Sequence, residues 1–226
     1  MQYEIQGAPF SVLICQLNEG EAMKCQKGGM AWMSPNMQMQ TSGGGLGKML
    51  GKLVSGESMF YNTYVSERGS GEIAFGMNFP GNIIAVDVSG KAVVAQKHAF
   101  MACESGVEMN VFFQKKIGSG FFGGEGFIMQ RFSGHGMAFL EIDGSIVERE
   151  LGNGESITVD SGYLAAMDES CSIDIQMVSG VGNMVFGGEG MFNTVVKGPG
   201  KVWLQTMPVP TLANSLIPYL PVQSSK

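Results

Sequence analysis

The five-residue sequence FGGEG occurs twice in this chain, at residues 122–126 and 186–190. The offset between the two copies is 186 − 122 = 64, and a Gly-x-Gly sequence comes after both copies at the same distance. A shorter related stretch, GESMF, lies at residues 56–60 and is also succeeded by Gly-x-Gly. Repetition at one spacing is typical of a duplicated structural unit, so these three stretches predict how the chain is divided.

The repeat extends over most of the chain. The turn glycines Gly20, Gly90 and Gly154 come after β-prone apolar runs, and their offsets are 90 − 20 = 70 and 154 − 90 = 64. Short strand-like runs between glycine turns predict an all-β fold. We therefore expect three pseudo-symmetric β-sandwich modules, fused in one chain with a short helical insertion. Their approximate bounds within a single compact unit are 1–77, 78–142 and 143–207.

Composition excludes several classes of protein. The chain is 44% hydrophobic and 15% charged, with a net charge of −6, so duplex nucleic acid is not an expected partner. No apolar run approaches the ~20 residues that span a bilayer, and the N-terminus lacks the basic and cleavage regions of a signal peptide. The four cysteines form no C-x-x-C pair and are interpreted as buried, reduced hydrophobic residues. These features predict a cytoplasmic protein.

Residues 41–56, TSGGGLGKMLGKLVSG, depart from the β pattern. Apolar residues fall at helical spacing and predict one face of a short helix: Leu46, Met49, Leu50 and Leu53. A phosphate-binding P-loop requires Ser or Thr after its Gly-Lys pair, and methionine stands there instead. The apolar face of 46–54 is expected to dock on its own sheet, on another subunit, or on a membrane surface or hydrophobic protein partner.

The tail, residues 208–226, contains four prolines: Pro208, Pro210, Pro218 and Pro221. Proline removes a backbone donor and disrupts helix interiors and central strands. The sequence therefore predicts an extended C-terminal arm on the surface or on a neighbouring subunit.

The repeated glutamates Glu57, Glu125 and Glu189 are the best polar candidates for a site. Each carboxylate could accept hydrogen bonds from the backbone N–H groups of its glycine-rich turn. Alternatively, three pseudo-symmetric carboxylates could face a common axis and bind a metal ion such as Ca²⁺ or Mg²⁺. Both interpretations stay open at the level of sequence.

No catalytic constellation and no cofactor-binding motif are present in the sequence. His135 lies within a Gly-x-Gly where the other repeats carry Ser70 and Pro199, so it is interpreted as a turn residue. His98 likewise aligns on or beside Gly28 and Ser161. Two histidines without a cysteine cluster do not make a zinc site, and no G-x-S-x-G elbow supports a serine nucleophile. The chain is therefore expected not to be an enzyme.

Residues 188–192, GEGMF, and residues 198–206, GPGKVWLQT, resemble the GEG…GPGxVxLQT signature of the AIM24 family of uncharacterised proteins. Residues 28–33, 56–60 and 121–126 also fit, so the resemblance covers nearly the whole chain. It implies a fold similar to the trp RNA-binding attenuation protein, with several β-sandwich modules per chain. Fungal mitochondrial members are linked to inner-membrane architecture, a role that a chain without a transit peptide does not directly share. Tryptophan and RNA binding are not carried over, because no matching pocket or base-stacking motif is present.

Together these features predict a homo-oligomeric, non-enzymatic assembly or scaffold protein. It would contact a membrane or hydrophobic partners through residues 46–54. The alternative is a small-molecule or metal-ion binding module with sites between the repeats.

Overall fold

The computed structural model describes residues 1–41, 61–115, 126–177 and 192–220. Most of these residues are in β-strands, and one short α-helix lies near the C-terminus, so the predicted all-β fold is confirmed. Alternation of buried and exposed side chains along strands such as β2 (Val12–Leu17) reflects sheets with one face on a core.

The described strands follow one another along the chain in three sets of six, after an additional first strand. The additional strand is β1 (Gln2–Gln6). The first set contains β2, β3 (Ala22–Gln26), β4 (Met30–Met33), β5 (Met37–Thr41), β6 (Tyr61–Ser66) and β7 (Gly71–Gly76). The second set contains β8 (Gly81–Asp87), β9 (Val93–Gln96), β10 (Phe100–Glu104), β11 (Val107–Lys115), β12 (Phe127–Gly134) and β13 (Met137–Asp143). The third set contains β14 (Ile146–Leu151), β15 (Ser156–Asp160), β16 (Leu164–Asp168), β17 (Ser172–Met177), β18 (Phe192–Lys197) and β19 (Gly200–Gln205).

The described strands form four antiparallel sheets. Their orders are β1-β2-β7-β4, β5-β6-β3-β10-β13-β8, β11-β12-β9-β16-β19-β14 and β15-β18-β17. Each set divides in the same way into two trios, which in the first set are β2-β7-β4 and β5-β6-β3. Both six-stranded sheets combine one trio from each of two successive sets. We call the pairing β3–β10 the first junction and the pairing β9–β16 the second junction.

The hydrophobic core continues across the junctions. One cluster combines Met23 and Cys25 of the first set with Ala102 and Phe139 of the second. Another combines Ala95, of the second set, with residues of the third set that include Trp203. Full burial of one such large side chain stabilises a fold by roughly 1.5–3 kcal/mol, so the junctions contribute to stability as well as to connectivity.

The Gly-x-Gly sequences lie at the turns of the hairpins β6–β7, β12–β13 and β18–β19. Gly134 and Gly136 have φ angles of 98° and 116°, which residues other than glycine rarely adopt. His135 lies between them, so its predicted place in a turn is confirmed. His98 lies in the 3₁₀ turn Lys97–Ala99 that connects β9 to β10.

The C-terminal tail differs from its prediction. Helix α1 (Val209–Leu216) and a 3₁₀ turn (Ile217–Tyr219) replace the expected extended arm. Proline is compatible with the first turn of a helix, where the N–H would have no partner within the helix, and Pro210 lies there. The backbone N–H of Val209 also donates to Asp143 Oδ2 at 3.0 Å, which attaches the start of the helix to the last residue of β13. The predicted helical insertion lies outside the described residues except for Thr41, which ends β5.

Candidate functional site

The site residues predicted from the sequence all lie outside the described residues. They are Glu57, Glu125 and Glu189 for a metal ion, and Leu46, Met49, Leu50 and Leu53 for contact with a partner or membrane. The structure does describe the strands that come directly after the three repeated stretches. Tyr61, Phe127 and Phe192 begin β6, β12 and β18, which are the central strands of equivalent trios.

The cysteines lie in the interior of this fold. All four are buried and reduced. Burial raises the pKa of the Cys15, Cys25 and Cys103 thiols to about 12, so they stay protonated near neutral pH. Within the described ranges, no three His, Cys, Asp or Glu side chains cluster closely enough to hold a metal ion.

The first junction is a short antiparallel pairing of mostly buried residues. Its register pairs Ala102 with Cys25, Cys103 with Lys24 and Glu104 with Met23. Lys24 Nζ reaches across it and donates to the backbone oxygens of Ser105 and Val107 at 2.7 and 2.9 Å. The junction therefore joins two strand sets by backbone pairing, apolar packing and one bridging ammonium group.

The second junction repeats this arrangement with different side chains. Its register pairs Ala166 with Ala95, Met167 with Val94 and Asp168 with Val93. The buried Asp168 carboxylate accepts hydrogen bonds from Lys91 Nζ and from the backbone N–H of Lys201. Arg131 is bidentate on Glu169, with Nε–Oε1 at 2.5 Å and Nη2–Oε2 at 3.1 Å. Charge pairs thus connect the second and third sets.

An open cleft of about 530 Å³ lies beside the second junction. Its walls include the charged side chains Lys91, Arg131 and Glu169. Lys91 and Arg131 each pair with a carboxylate of the third set. This compensation reduces the attraction of the cleft for an ionic ligand.

A second polar group crosses the first junction. Glu141 is only 6% exposed and accepts hydrogen bonds from the Asn78 backbone N–H at 2.9 Å, from Asn78 Nδ2 at 2.8 Å and from Gln26 Nε2 at 2.5 Å. Burial raises the pKa of Glu141, although these hydrogen bonds act in the opposite direction. At the second junction Gln96 occupies the position that Gln26 holds one repeat earlier, and its Nε2 donates to the Ser161 carbonyl at 3.0 Å.

The two ends of the strand array are open. Among the described pairings, β4 pairs only with β7, and β15 pairs only with β18. Trp32 and Met33 of β4 are 47% and 36% exposed, whereas Ala102, Cys103, Ala166 and Met167 at the equivalent positions of β10 and β16 are fully buried. On β15, Ser156 and Thr158 are exposed. These open edges are the strongest candidate for an interaction site in the described part of the chain.

Trp32 occupies a position that holds alanine in the other two sets. Its cross-strand partner is Ala74, whereas Ala102 is opposite Phe139 and Ala166 is opposite Trp203. Each pair thus contains one alanine and one aromatic residue, but in the first set the aromatic residue lies on the open edge strand. Trp32 Nε1 donates to Glu72 Oε1 at 3.0 Å, so the indole has a polar partner within its own sheet.

Comparison with known proteins assigns the chain to a family. A family model described as "Mitochondrial biogenesis AIM24" matches residues 3–207. This chain belongs to the AIM24 family. An uncharacterised protein of Streptococcus pyogenes serotype M6 is 31% identical to this AIM24-family chain over an alignment of 226 positions, which covers 96% of this chain and 89% of that protein.

A crystal structure of a Streptococcus pyogenes protein has the same fold. Its TM-score to this AIM24-family chain is 0.82 at 28% identity, covering 97% of this chain and 99% of that one. The descriptions of these two relatives name no activity. Within the described residues, none of the helices has the length and apolar character needed to cross a bilayer.

Sequence reasoning does not find the open edges. The signal is present in the repeat itself, since the offsets between the turn glycines align Met30–Met33 with Phe100–Glu104 and Leu164–Asp168. Trp32 then stands where the other repeats have Ala102 and Ala166. The order of strands within the sheets, which decides that β4 has a free edge, is not readable from that alignment.

Proposed function

We propose that this AIM24-family protein is a non-enzymatic assembly or scaffold protein whose copies associate into a homo-oligomer. One observation carries the proposal. Successive strand sets share sheets at two junctions, and the described array ends on a four-stranded and a three-stranded sheet with open edges. Such edges expose unpaired backbone N–H and C=O groups, which can pair with a strand of another chain.

Solution mass tests this proposal. We expect light scattering coupled to size exclusion, at micromolar concentration, to give a multiple of the chain mass of 24.1 kDa. A mass that stays at one chain over the whole accessible concentration range would remove the basis for an assembly role.

A membrane surface or hydrophobic protein partner is part of the proposal, through residues 46–54. The support is the helical spacing of Leu46, Met49, Leu50 and Leu53 in the sequence. We expect co-sedimentation with anionic lipid vesicles that falls when Leu50 and Leu53 are both changed to Ser. Equal co-sedimentation of both forms would exclude this contact.

The alternative function is a small-molecule or metal-ion binding module with sites between the repeats. The cleft beside the second junction supports it, because it lies between the second and third sets. The three glutamates Glu57, Glu125 and Glu189 remain its metal candidates. A thermal-shift screen against metabolites, Ca²⁺ and Mg²⁺ separates the two functions, since only the alternative requires a ligand-dependent rise in melting temperature.

Two further features belong to this proposal. A cytoplasmic location fits the four reduced cysteines, since oxidising compartments favour disulfides. A fold like that of the trp RNA-binding attenuation protein also stays a prediction. Neither nucleic acid nor a cofactor is part of the proposed function.

A further inference from the structure

The two junctions within the chain obey one rule. The third strand of one set pairs antiparallel with the second strand of the preceding set, as β10 does with β3 and β16 with β9. The registers agree as well: Ala102 opposite Cys25 corresponds to Ala166 opposite Ala95 when both strands are moved on by one repeat. One geometry therefore occurs twice in the same molecule.

Among the described strands, one strand of each kind has no partner at its outer edge. β4 is the third strand of the first set and pairs only with β7. β15 is the second strand of the third set and pairs only with β18. Within the described residues these two strands lie in separate sheets. These two edges correspond to the two strands that pair at each internal junction.

We propose that β4 of one copy pairs with β15 of a second copy, so that the protein assembles head to tail through a junction of the same design as its two internal ones. This inference rests on the proposed homo-oligomer and names the surfaces that form it. Transferring the internal registers places Trp32 opposite Val159 of the second copy, Met33 opposite Thr158 and Ser34 opposite Ile157.

The open strand β4 already has the shape that the junctions require. Its pairing with β7 shifts register between Met30 and Trp32, as β10 does between Phe100 and Ala102 on β13. β16 shows the same shift against β19. Each third strand therefore has a β-bulge at the same position. In β4 this bulge is present although no described strand pairs with its outer edge. The edge is preorganised, which lowers the entropic cost of association.

The side chains at both edges match an interface that is buried only after association. Trp32 and Met33 are large apolar groups that are exposed in the single chain, and aromatic residues and methionine are enriched in interfaces. On β15, Ile157 and Val159 are half-buried and pack against the core of the third set. In the transferred register Trp32 and Val159 would cover each other, whereas Met33 would lie opposite Thr158 and Ile157 opposite Ser34.

The symmetry of such an assembly is determined by its two different surfaces. A contact between unlike surfaces is heterologous, so it closes into a ring or continues as a filament. A two-fold dimer that pairs β4 with β4 would leave β15 open and would use a pairing found at neither internal junction. In either arrangement every chain supplies one β4 and one β15 to its neighbours.

Disulfide trapping tests the register directly. Opposite residues of an antiparallel pair lie about 4.5–5.5 Å apart between Cα atoms, which suits a disulfide. We expect the variant Met33→Cys/Thr158→Cys to give a ladder of covalently linked chains on a non-reducing gel. The native cysteines do not interfere, because they are buried and burial raises the pKa of their thiols.

Three matched variants complete the trapping experiment: Met33→Cys alone, Thr158→Cys alone and Glu4→Cys/Thr158→Cys. Glu4 is exposed on β1, at the opposite edge of the same sheet as β4. We expect none of the three to form a ladder. Dimers of Met33→Cys alone would show a β4–β4 contact and overturn the inference, as would a disulfide confined to one chain.

A charge exchange gives an independent readout. Met33→Glu/Thr158→Glu places two carboxylates opposite each other and should raise the dissociation constant at least about tenfold. Met33→Lys/Thr158→Glu places opposite charges there and should restore association. If Met33→Glu/Thr158→Glu keeps the mass of an oligomeric wild type, the β4–β15 pairing is wrong and the proposed assembly function survives. A monomeric wild type would remove both.

Discussion

At the scale of single residues, the repeats preserve volume rather than identity. Phe139 and Trp203 lie opposite Ala102 and Ala166, and the first set reverses the arrangement by placing Trp32 opposite Ala74. In the second and third sets both members of the pair are buried, so a second aromatic residue would overfill the core there, whereas Trp32 of the first set is 47% exposed. The reversal moves the aromatic side chain onto the edge strand, where a second copy can bury it.

The burial of Glu141 predicts an unusual pH dependence of the free energy of unfolding. Burial raises the pKa of its carboxyl above the ordinary value of a glutamate. As the pH falls through the raised pKa, the folded state takes up a proton that the unfolded state does not hold. The contribution of Glu141 to the free energy of unfolding therefore rises on mild acidification and levels off below the unfolded pKa.

Glu141→Gln removes this contribution. At neutral pH we expect a loss of about 1–3 kcal/mol, because the amide group would present a donor to the donors of Asn78. The loss should be larger at about pH 5 than at about pH 7. Urea unfolding at both pH values, at one protein concentration, measures it, with the exposed Glu150→Gln as control. An equal loss at both pH values would contradict the assigned role of burial.

At the scale of elements, the pairing of β8 with β13 depends on the absence of a side chain at Gly81. A Cβ at Gly81 would lie 1.9 Å from the backbone oxygen of Ile142 on β13, whereas a Cβ at Gly90 would have no neighbour within 4 Å. We expect Gly81→Ala to lower the free energy of unfolding by about 3 kcal/mol, because the strands must separate. Gly90→Ala should change it by less than about 1 kcal/mol. Denaturant unfolding of both variants checks this, and equal effects would contradict it.

Some of the strands and helices can be predicted from the sequence, and others cannot. The runs at Val12–Leu17, Gly81–Asp87 and Ile146–Leu151 are apolar or alternating between glycine turns, and the sequence predicts strands there. The repeat pattern does not include the fourth strand of each set. In β11, for example, the alternation of apolar and polar residues from Val107 to Val111 is interrupted by Phe112 and Phe113, where the register shifts. The sequence does not predict helix α1, because proline usually breaks a helix. The first turn of a helix nevertheless accommodates proline, and Pro210 lies there.

At the scale of the whole molecule, the family and the fold are predictable from the sequence, but the candidate site is not. The C-terminal signature at residues 198–206 carries the family assignment. The open edges depend on which strands are neighbours, and that order is set by long-range pairings such as Cys25 with Ala102. Local patterns of turns and of alternating apolar and polar residues do not predict these long-range pairings.

Tryptophan fluorescence provides a test of association without cross-linking. The chain has two tryptophans, and in a Trp203→Phe variant Trp32 is the only tryptophan emitter. We expect its emission to shift to shorter wavelength as concentration rises and the indole leaves water. The same variant carrying Met33→Glu/Thr158→Glu should keep the long-wavelength emission. Identical spectra for both proteins at every concentration would show that Trp32 is not at the interface.

Amide hydrogen exchange on the unmodified protein tests the head-to-tail pairing most directly. The pairing predicts that the backbone amides of Met30–Met33 and Ser156–Asp160 exchange as slowly as those of their internal counterparts Phe100–Glu104 and Val93–Gln96. It also predicts that this protection is lost in Met33→Glu/Thr158→Glu while the internal junctions stay protected. Fast exchange at both edges in the wild-type protein at oligomer-forming concentration would contradict the pairing of β4 with β15.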